Sequence, residues 1–278
     1  MLDSIPVFTS PQGKAEILRA YQVILDKWPV SYEELIVPTS FGDTHVIASG
    51  PKDAPPVVLL HALFATAASW YRNVEALSRS YRVYAVDVIG EGNRSCAVKP
   101  ITSLKGFFQW FWKLINGLGI DTLYLVGNSY GGFTAAYYAM KLPERVRKLV
   151  LIGPAATIAP MGPFYIHMFI PKALYSIFPR LPGLKSTMQS SVDWMYSGLI
   201  NKVLPRVYSK EEFAQIKART LLILGGKEMI YNNLQAAMRA ARKLIPGVQI
   251  EVIPNAHHIT ALAQPEAVNQ KILEFFAG

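Results

Sequence analysis

The chain has 278 residues, 51% of them apolar, which suits one large α/β domain with a sizeable core and excludes a disordered polymer. Its formal net charge of +9 comes without a basic helix, a zinc-ligand spacing or an aromatic-basic pattern, so nucleic acid is not expected as a partner. Cys96 is the only cysteine, which excludes an intrachain disulfide, and MLDSIPVFTSPQGK lacks a basic segment leading into an apolar run, so a cytoplasmic protein is expected.

Residues 11–28 predict an N-terminal helix stopped by Trp28-Pro29. Tyr32–Val37 and Thr44–Ala48 are β-rich runs around Ser40-Phe41-Gly42-Asp43 and predict an antiparallel hairpin. Pro56–Leu60 is short and fully apolar, as a central parallel strand would be. A helix over 67–79 and a buried strand over Val83–Val86 follow. Helix 103–118 carries Leu104, Phe107, Phe108, Phe111, Trp112 and Ile115 at helical spacing, a stripe facing the core.

Leu123–Val126 is a β-run that turns at once into an Ala- and Tyr-rich helix from Tyr130, and strand 148–152 comes next. No charge falls between Lys148 and Lys172, but Pro154, Pro160, Pro163 and Pro171 interrupt that stretch, so no stable membrane span is expected. From Pro154 to about Ala218 the alternation stops in a piece rich in Pro, Met and aromatics, with helical patches at 172–178 and 188–200. Strand 220–224, helix 232–245, strand 248–253 and helix 266–277 restore it. The pattern is α/β, a mostly parallel sheet with crossover helices and one insertion.

Chemistry concentrates at the junction of the 123–126 strand with its helix, Gly127-Asn128-Ser129-Tyr130-Gly131, a G-x-S-x-G. A strand turning directly into a helix brings the backbone too close for β-carbons two residues either side of the serine. The serine is held strained with Oγ raised at the sheet edge, where the helix dipole favours an anion. A hydroxyl needs an imidazole as base and a carboxylate to orient it. Glu228 is the only carboxylate in the loop after strand 220–224, and the loop after 248–253 holds His257 and His258. Two backbone N–H groups are needed for an oxyanion. Tyr130 supplies one, and Leu63, or next to it Phe64, the other, from His61-Ala62-Leu63-Phe64 after strand 56–60.

At these residues the chain resembles an α/β-hydrolase over nearly its whole length. The matching motifs are HALFATAASW (61–70), DVIGEGNRS (87–95), GNSYGG (127–132), LLILGGKE (221–228) and NAHHITALAQPE (255–266). The resemblance implies a twisted, mostly parallel sheet with helices on both faces and a helical cap. Residues 1–153 and 219–278 would form the core, and 154–218 the cap. The family's last motif is a Gly-His with a Pro seven residues after the His. Pro265 stands seven after His258, so the resemblance assigns His258 as the base and puts His257 in the glycine's place. Ala62 replaces the usual Gly of the oxyanion loop. Glu228 replaces the commoner Asp, a variation similar to that of a subset of bacterial carboxylesterases.

His61 is then expected to brace the oxyanion loop and Asp87 to orient its own loop, while His45 is expected to be a satisfied surface or sheet residue. With His167 they make no metal-ligand spacing, and Gly90-Glu91-Gly92 is no dinucleotide fingerprint, so neither metal nor cofactor is expected. The expected function is a serine hydrolase of small-molecule carboxylic esters with an apolar acyl or aromatic part, acting through an acyl-enzyme. Phe64 of the oxyanion loop and Met161, Phe164, Met168 and Trp194 of the insertion are the expected substrate contacts, and the insertion's basic residues are expected to form a solvated face. Two alternatives differ in one feature each. A carbon–carbon hydrolase of ring-cleavage products would carry a Gly-rich oxyanion loop in place of Ala62-Leu63-Phe64, and a hydrolase-like binding protein would show no labelling of Ser129. Nothing in the chain sets an oligomeric state.

Overall fold

A computed structural model describes residues 7–8, 10–162 and 200–278. Helix α1 (Pro11–Leu25) starts at Ser10, whose hydroxyl accepts the Gly13 N–H, and buries Ile17, Tyr21 and Leu25 on one stripe. It ends three residues before the expected stop, with Asp26 as its C-cap. β1 (Tyr32–Thr39) and β2 (Gly42–Ser49) pair antiparallel as the hairpin. β3 is Pro56–Leu60 and β4 Arg82–Val86.

The single helix expected over 67–79 is instead a 3₁₀ turn, Ala67–Arg72, followed by α2 (Val74–Ser78). The break falls at Asn73, whose side-chain amide donates to Ala261 O (3.1 Å) and Asn269 Oδ1 (2.8 Å). Those bonds to the far end of the chain are invisible to a local pattern. A two-residue β5 (Cys96–Ala97) pairs with β2, and α3 (Leu104–Gly117) starts at Ser103, which accepts the Gly106 N–H. β6 (Leu123–Asn128), α4 (Tyr130–Lys141) and β7 (Val146–Ile152) follow. The later elements are the Lys210–Phe213 turn of helix, β8 (Arg219–Gly225), the Leu234–Leu244 helix, β9 (Gln249–Ile253), and the Thr260–Ala263 and Pro265–Ala277 helices.

The strands form one sheet in the order β1-β2-β4-β3-β6-β7-β8-β9, parallel from β4 to β9 and antiparallel at the β1–β2–β4 edge. Successive side chains of the central strands serve opposite cores. Val58, Leu60, Leu125, Leu149, Leu151, Leu222 and Leu224 pack with α3, α4 and the Leu234–Leu244 helix. Val57, Leu59, Val126, Val150, Ile152, Leu221 and Ile223 pack with α1, α2 and the Pro265–Ala277 helix. Both faces are therefore dry, which is why these strands read as unbroken apolar runs. Each fully buried side chain of this kind contributes about 1.5–3 kcal/mol through its removal from water.

Of the expected insertion, the structure describes the two ends. The outgoing end hydrogen-bonds to the turn after β6, with Ala155 N–H donating to Ser129 O at 3.0 Å. The returning end lies on the core: Tyr208 is 1% exposed, stacks on Phe133 with ring centroids 5.1 Å apart, and bonds through its hydroxyl to Phe133 O. The expected helical patches at 172–178 and 188–200 lie outside the described residues, apart from Ile200.

Candidate active site

The carboxyl ends of β3, β6, β8 and β9 bring four loops together. After β6, Ser129 takes φ 52°, ψ −112°, a conformation unfavourable for a residue with a side chain. Backbone bonds hold it there: its N–H donates to Ile152 O (2.8 Å), and its carbonyl accepts from Phe133 N–H (3.1 Å). The turn is tight enough that a methyl group on Gly127 would overlap the Gly131 carbonyl, and one on Gly131 the Leu60 carbonyl. That second contact sets the start of α4 directly against the loop after β3.

His258 Nε2 lies 2.8 Å from Ser129 Oγ, and His258 Nδ1 lies 2.9 Å from Glu228 Oε1. An ionised carboxylate only accepts, so Nδ1 carries the ring proton and the Nε2 lone pair faces the serine hydroxyl. Oε1 also accepts the Met229 and Ile230 N–H groups at 2.9 and 3.0 Å, which fixes the carboxylate before it meets the imidazole. From the other side the backbone of Gly153 closes on the pair: a β-carbon there would sit 3.0 Å from Glu228 Oε2 and 3.2 Å from His258 Nδ1. His257 points elsewhere, with Nδ1 3.2 Å from Lys227 O and its side chain exposed. In such an arrangement an imidazole can take the hydroxyl proton as the oxygen attacks a carbonyl.

A family model for the alpha/beta hydrolase fold matches residues 55–191. Over 294 aligned residues the chain is 33% identical to carboxylesterase YbfK of Bacillus subtilis (strain 168), covering 100% of this chain and 99% of that one. The chain belongs to the α/β-hydrolase family. The crystal structure of that carboxylesterase, CesB (YbfK), superposes with a TM-score of 0.82 at 32% identity, covering 95% of this chain and 98% of that one. Naproxen esterase (carboxylesterase NP) from Bacillus subtilis gives a TM-score of 0.84 at 30% identity over 96% and 99% of the two chains. The chain is also 27% identical to the 2-hydroxy-6-oxononadienedioate/2-hydroxy-6-oxononatrienedioate hydrolase of Escherichia coli (strain K12), over 80% of this chain and 86% of that one.

In this α/β-hydrolase the loop after β3 carries His61, Ala62, Leu63 and Phe64. His61 is buried and braces it: Nε2 accepts the Val88 N–H at 3.1 Å, and Nδ1 donates to Ala62 O at 2.9 Å. Burial pulls the His61 pKa down, which keeps the ring neutral in that tautomer. Leu63 is half-buried against the core, and Phe64 has φ 64°. Asp87, after β4, is fully buried and ties three elements together. Its carboxylate accepts the Ala67 N–H (2.7 Å) and the Arg94 N–H (3.4 Å), and bonds His45 Nδ1 (2.9 Å).

Of the two readings of His45, surface or sheet, the structure selects the sheet: the ring is 3% exposed. Its Nε2 lies 2.7 Å from Glu34, which also pairs with Arg94. Desolvation opposes its protonation, but the bonds to Asp87 and Glu34 outweigh it and raise the His45 pKa. This pairing across β1, β2 and the β4 loop was missed by sequence reasoning, and only the hairpin register predicts that Glu34 and His45 approach.

Met161 forms a lone bridge with Tyr231, beside the Glu228 loop, and the Gly162 N–H donates to Ile230 O at 2.7 Å. Phe164, Met168 and Trp194, together with His167, lie outside the described residues. Among the described residues no three His, Cys, Asp or Glu side chains converge to hold a metal ion, and no helix is long and apolar enough to cross a membrane.

Proposed function

We propose that the chain is a carboxylesterase in which Ser129 is the nucleophile, His258 the general base and Glu228 the carboxylate that orients and stabilises the imidazolium. The observation that carries this is the pair of bonds from Glu228 Oε1 to His258 Nδ1 and from His258 Nε2 to Ser129 Oγ. His258 removes the hydroxyl proton as Oγ attacks the ester carbonyl. The oxyanion is received by the N–H groups of Leu63 and Tyr130 at the dipole end of α4. The alcohol leaves with the proton from His258. Water activated by the same ring then cleaves the acyl-enzyme and releases the acid.

The described ends of the 154–218 insertion attach beside this site, which supports reading the insertion as a cap. It leaves beside Ser129, and on its return the Tyr130 hydroxyl donates to Val203 O at 2.6 Å. Phe64 and Met161, the described members of the expected contacts, suit an apolar acyl or aromatic group. Full-length similarity to two carboxylesterases favours esters over the carbon–carbon bond of ring-cleavage products, where identity is 27%.

The test is a panel of p-nitrophenyl esters of increasing acyl length beside a ring-cleavage product, with the wild type and Ser129→Ala, plus labelling by an active-site phosphonate. Turnover and labelling should both vanish in Ser129→Ala while the fold persists. Esterase activity surviving that substitution would refute the assignment. Faster turnover of the ring-cleavage product than of any ester would favour the carbon–carbon reading.

A further inference from the structure

Glu228 brings its carboxylate to His258 from a turn whose own placement the triad does not explain. Within that turn the carboxylate is a fixture: Oε1 accepts the Met229 and Ile230 N–H groups, so side chain and turn move as one body. Oε2 is buried and has no hydrogen-bond partner among the described residues. On that side the carboxylate meets the backbone of Gly153, where an added β-carbon would stand 3.0 Å from Oε2 and 3.2 Å from His258 Nδ1. The gap between carboxylate and ring is therefore set by how the 228–231 turn sits against the chain at 153–155.

That short segment after β7 reaches every member of the proposed triad. Gly153 holds a left-handed φ of 47° and walls the Glu228–His258 pair, while its N–H donates to Ile223 O at 2.9 Å. Pro154 packs on α4, where a β-carbon on Gly132 would come within 2.9 Å of Pro154 Cβ. The Ala155 N–H donates to Ser129 O at 3.0 Å. The acid turn is joined to this segment by Tyr231, 4% exposed, whose hydroxyl donates to Pro154 O. The front of the turn is pinned separately, by the Lys227 N–H donating to Ala256 O in the histidine loop at 2.8 Å. The carboxylate thus hangs between a backbone anchor at 227 and a side-chain anchor at 231.

We infer that Tyr231 is a positioning residue for the Glu228–His258 pair: its hydroxyl ties the acid turn to Pro154, so that the carboxylate and the Gly153 wall close on the imidazole together. This rests on the esterase reading of the site. A carboxylate with one unbonded oxygen has room to swing once the wall recedes, and the ring it orients must stay within hydrogen-bond reach of Ser129 Oγ. The hydroxyl itself takes no part in the reaction, because it is given to the Pro154 carbonyl.

The experiment is a double-mutant cycle of wild type, Tyr231→Phe, Glu228→Ala and the double variant. It is read by kcat and KM on a p-nitrophenyl ester and by the rate at which an active-site phosphonate labels Ser129, each variant being assayed below its own melting temperature. Tyr231→Phe deletes one oxygen and keeps the ring in the core. It should lower kcat about 5- to 30-fold and slow labelling in parallel, with KM nearly unchanged. In the Glu228→Ala background there is no carboxylate to place, so the same substitution should change kcat by less than about twofold. A hydroxyl that only stabilised the fold, or that acted through Ser129, would give the same factor in both backgrounds.

Wild-type kcat in Tyr231→Phe, an effect confined to KM, or an equal loss with and without Glu228 would overturn the inference. A wild type that turns over no ester yet is labelled at Ser129 would sink the esterase reading instead, and the same cycle read on labelling rates would still decide the role of Tyr231.

Discussion

Replacing Glu228 by Gln separates charge from geometry at the proposed triad. All three bonds to this side chain converge on Oε1: from His258 Nδ1 at 2.9 Å, Met229 N at 2.9 Å and Ile230 N at 3.0 Å. A glutamine oxygen can occupy that position and accept all three, so the fold and the ring tautomer survive. What disappears is the attraction between the carboxylate and the imidazolium that forms as Ser129 attacks. With charge centres about 4 Å apart and an effective dielectric of about 20, that attraction is about 4 kcal/mol. Its loss corresponds to a fall in kcat of about 10³-fold. KM should hardly move, since the charge on the ring exists only beyond the ground state. Glu228→Asp keeps the charge but cannot reach Nδ1 at the same length, so partial activity should remain. The assay is steady-state hydrolysis of a p-nitrophenyl ester, with circular dichroism to confirm folding. A Glu228→Gln enzyme within about threefold of wild-type kcat would refute the argument, because no charge would then be acting on the ring.

The two adjacent histidines should behave oppositely in the same assay: His258→Ala should abolish turnover, and His257→Ala, whose ring faces the Lys227 carbonyl, should leave kcat nearly intact. Gly131→Ala should cost roughly 1–3 kcal/mol in denaturant unfolding and much of the activity, because its methyl would press on the Leu60 carbonyl and separate the two segments proposed to supply the oxyanion donors. His45 has a folded pKa raised above 6.5, so its stabilising charge is fully present below that value and lost as pH climbs through the raised one. The melting temperature of the wild type should therefore fall over that rise more steeply than that of His45→Gln, and parallel curves would show that the ring's charge does not contribute.

The order of elements and the family were legible because both are written in local chemistry. Val57–Leu60, Leu149–Ile152 and Leu221–Leu224 are unbroken apolar runs because helices cover both sides of each strand. Gly127 and Gly131 mark the turn because no β-carbon fits there. The residues with the right chemistry, Ser129, Glu228 and the His257-His258 pair, could be picked out by type and by loop. Which histidine faces the serine depends on how the loop after β9 lies against β6 and β8, and residue chemistry alone left that choice open. The interruption of the 67–79 helix at Asn73 and the pairing of His45 with Asp87 are likewise bonds between segments far apart in sequence. A short chain segment encodes its own periodicity and turn sterics, but a buried polar group finds its partner only when desolvation in the folded core makes any other arrangement costly.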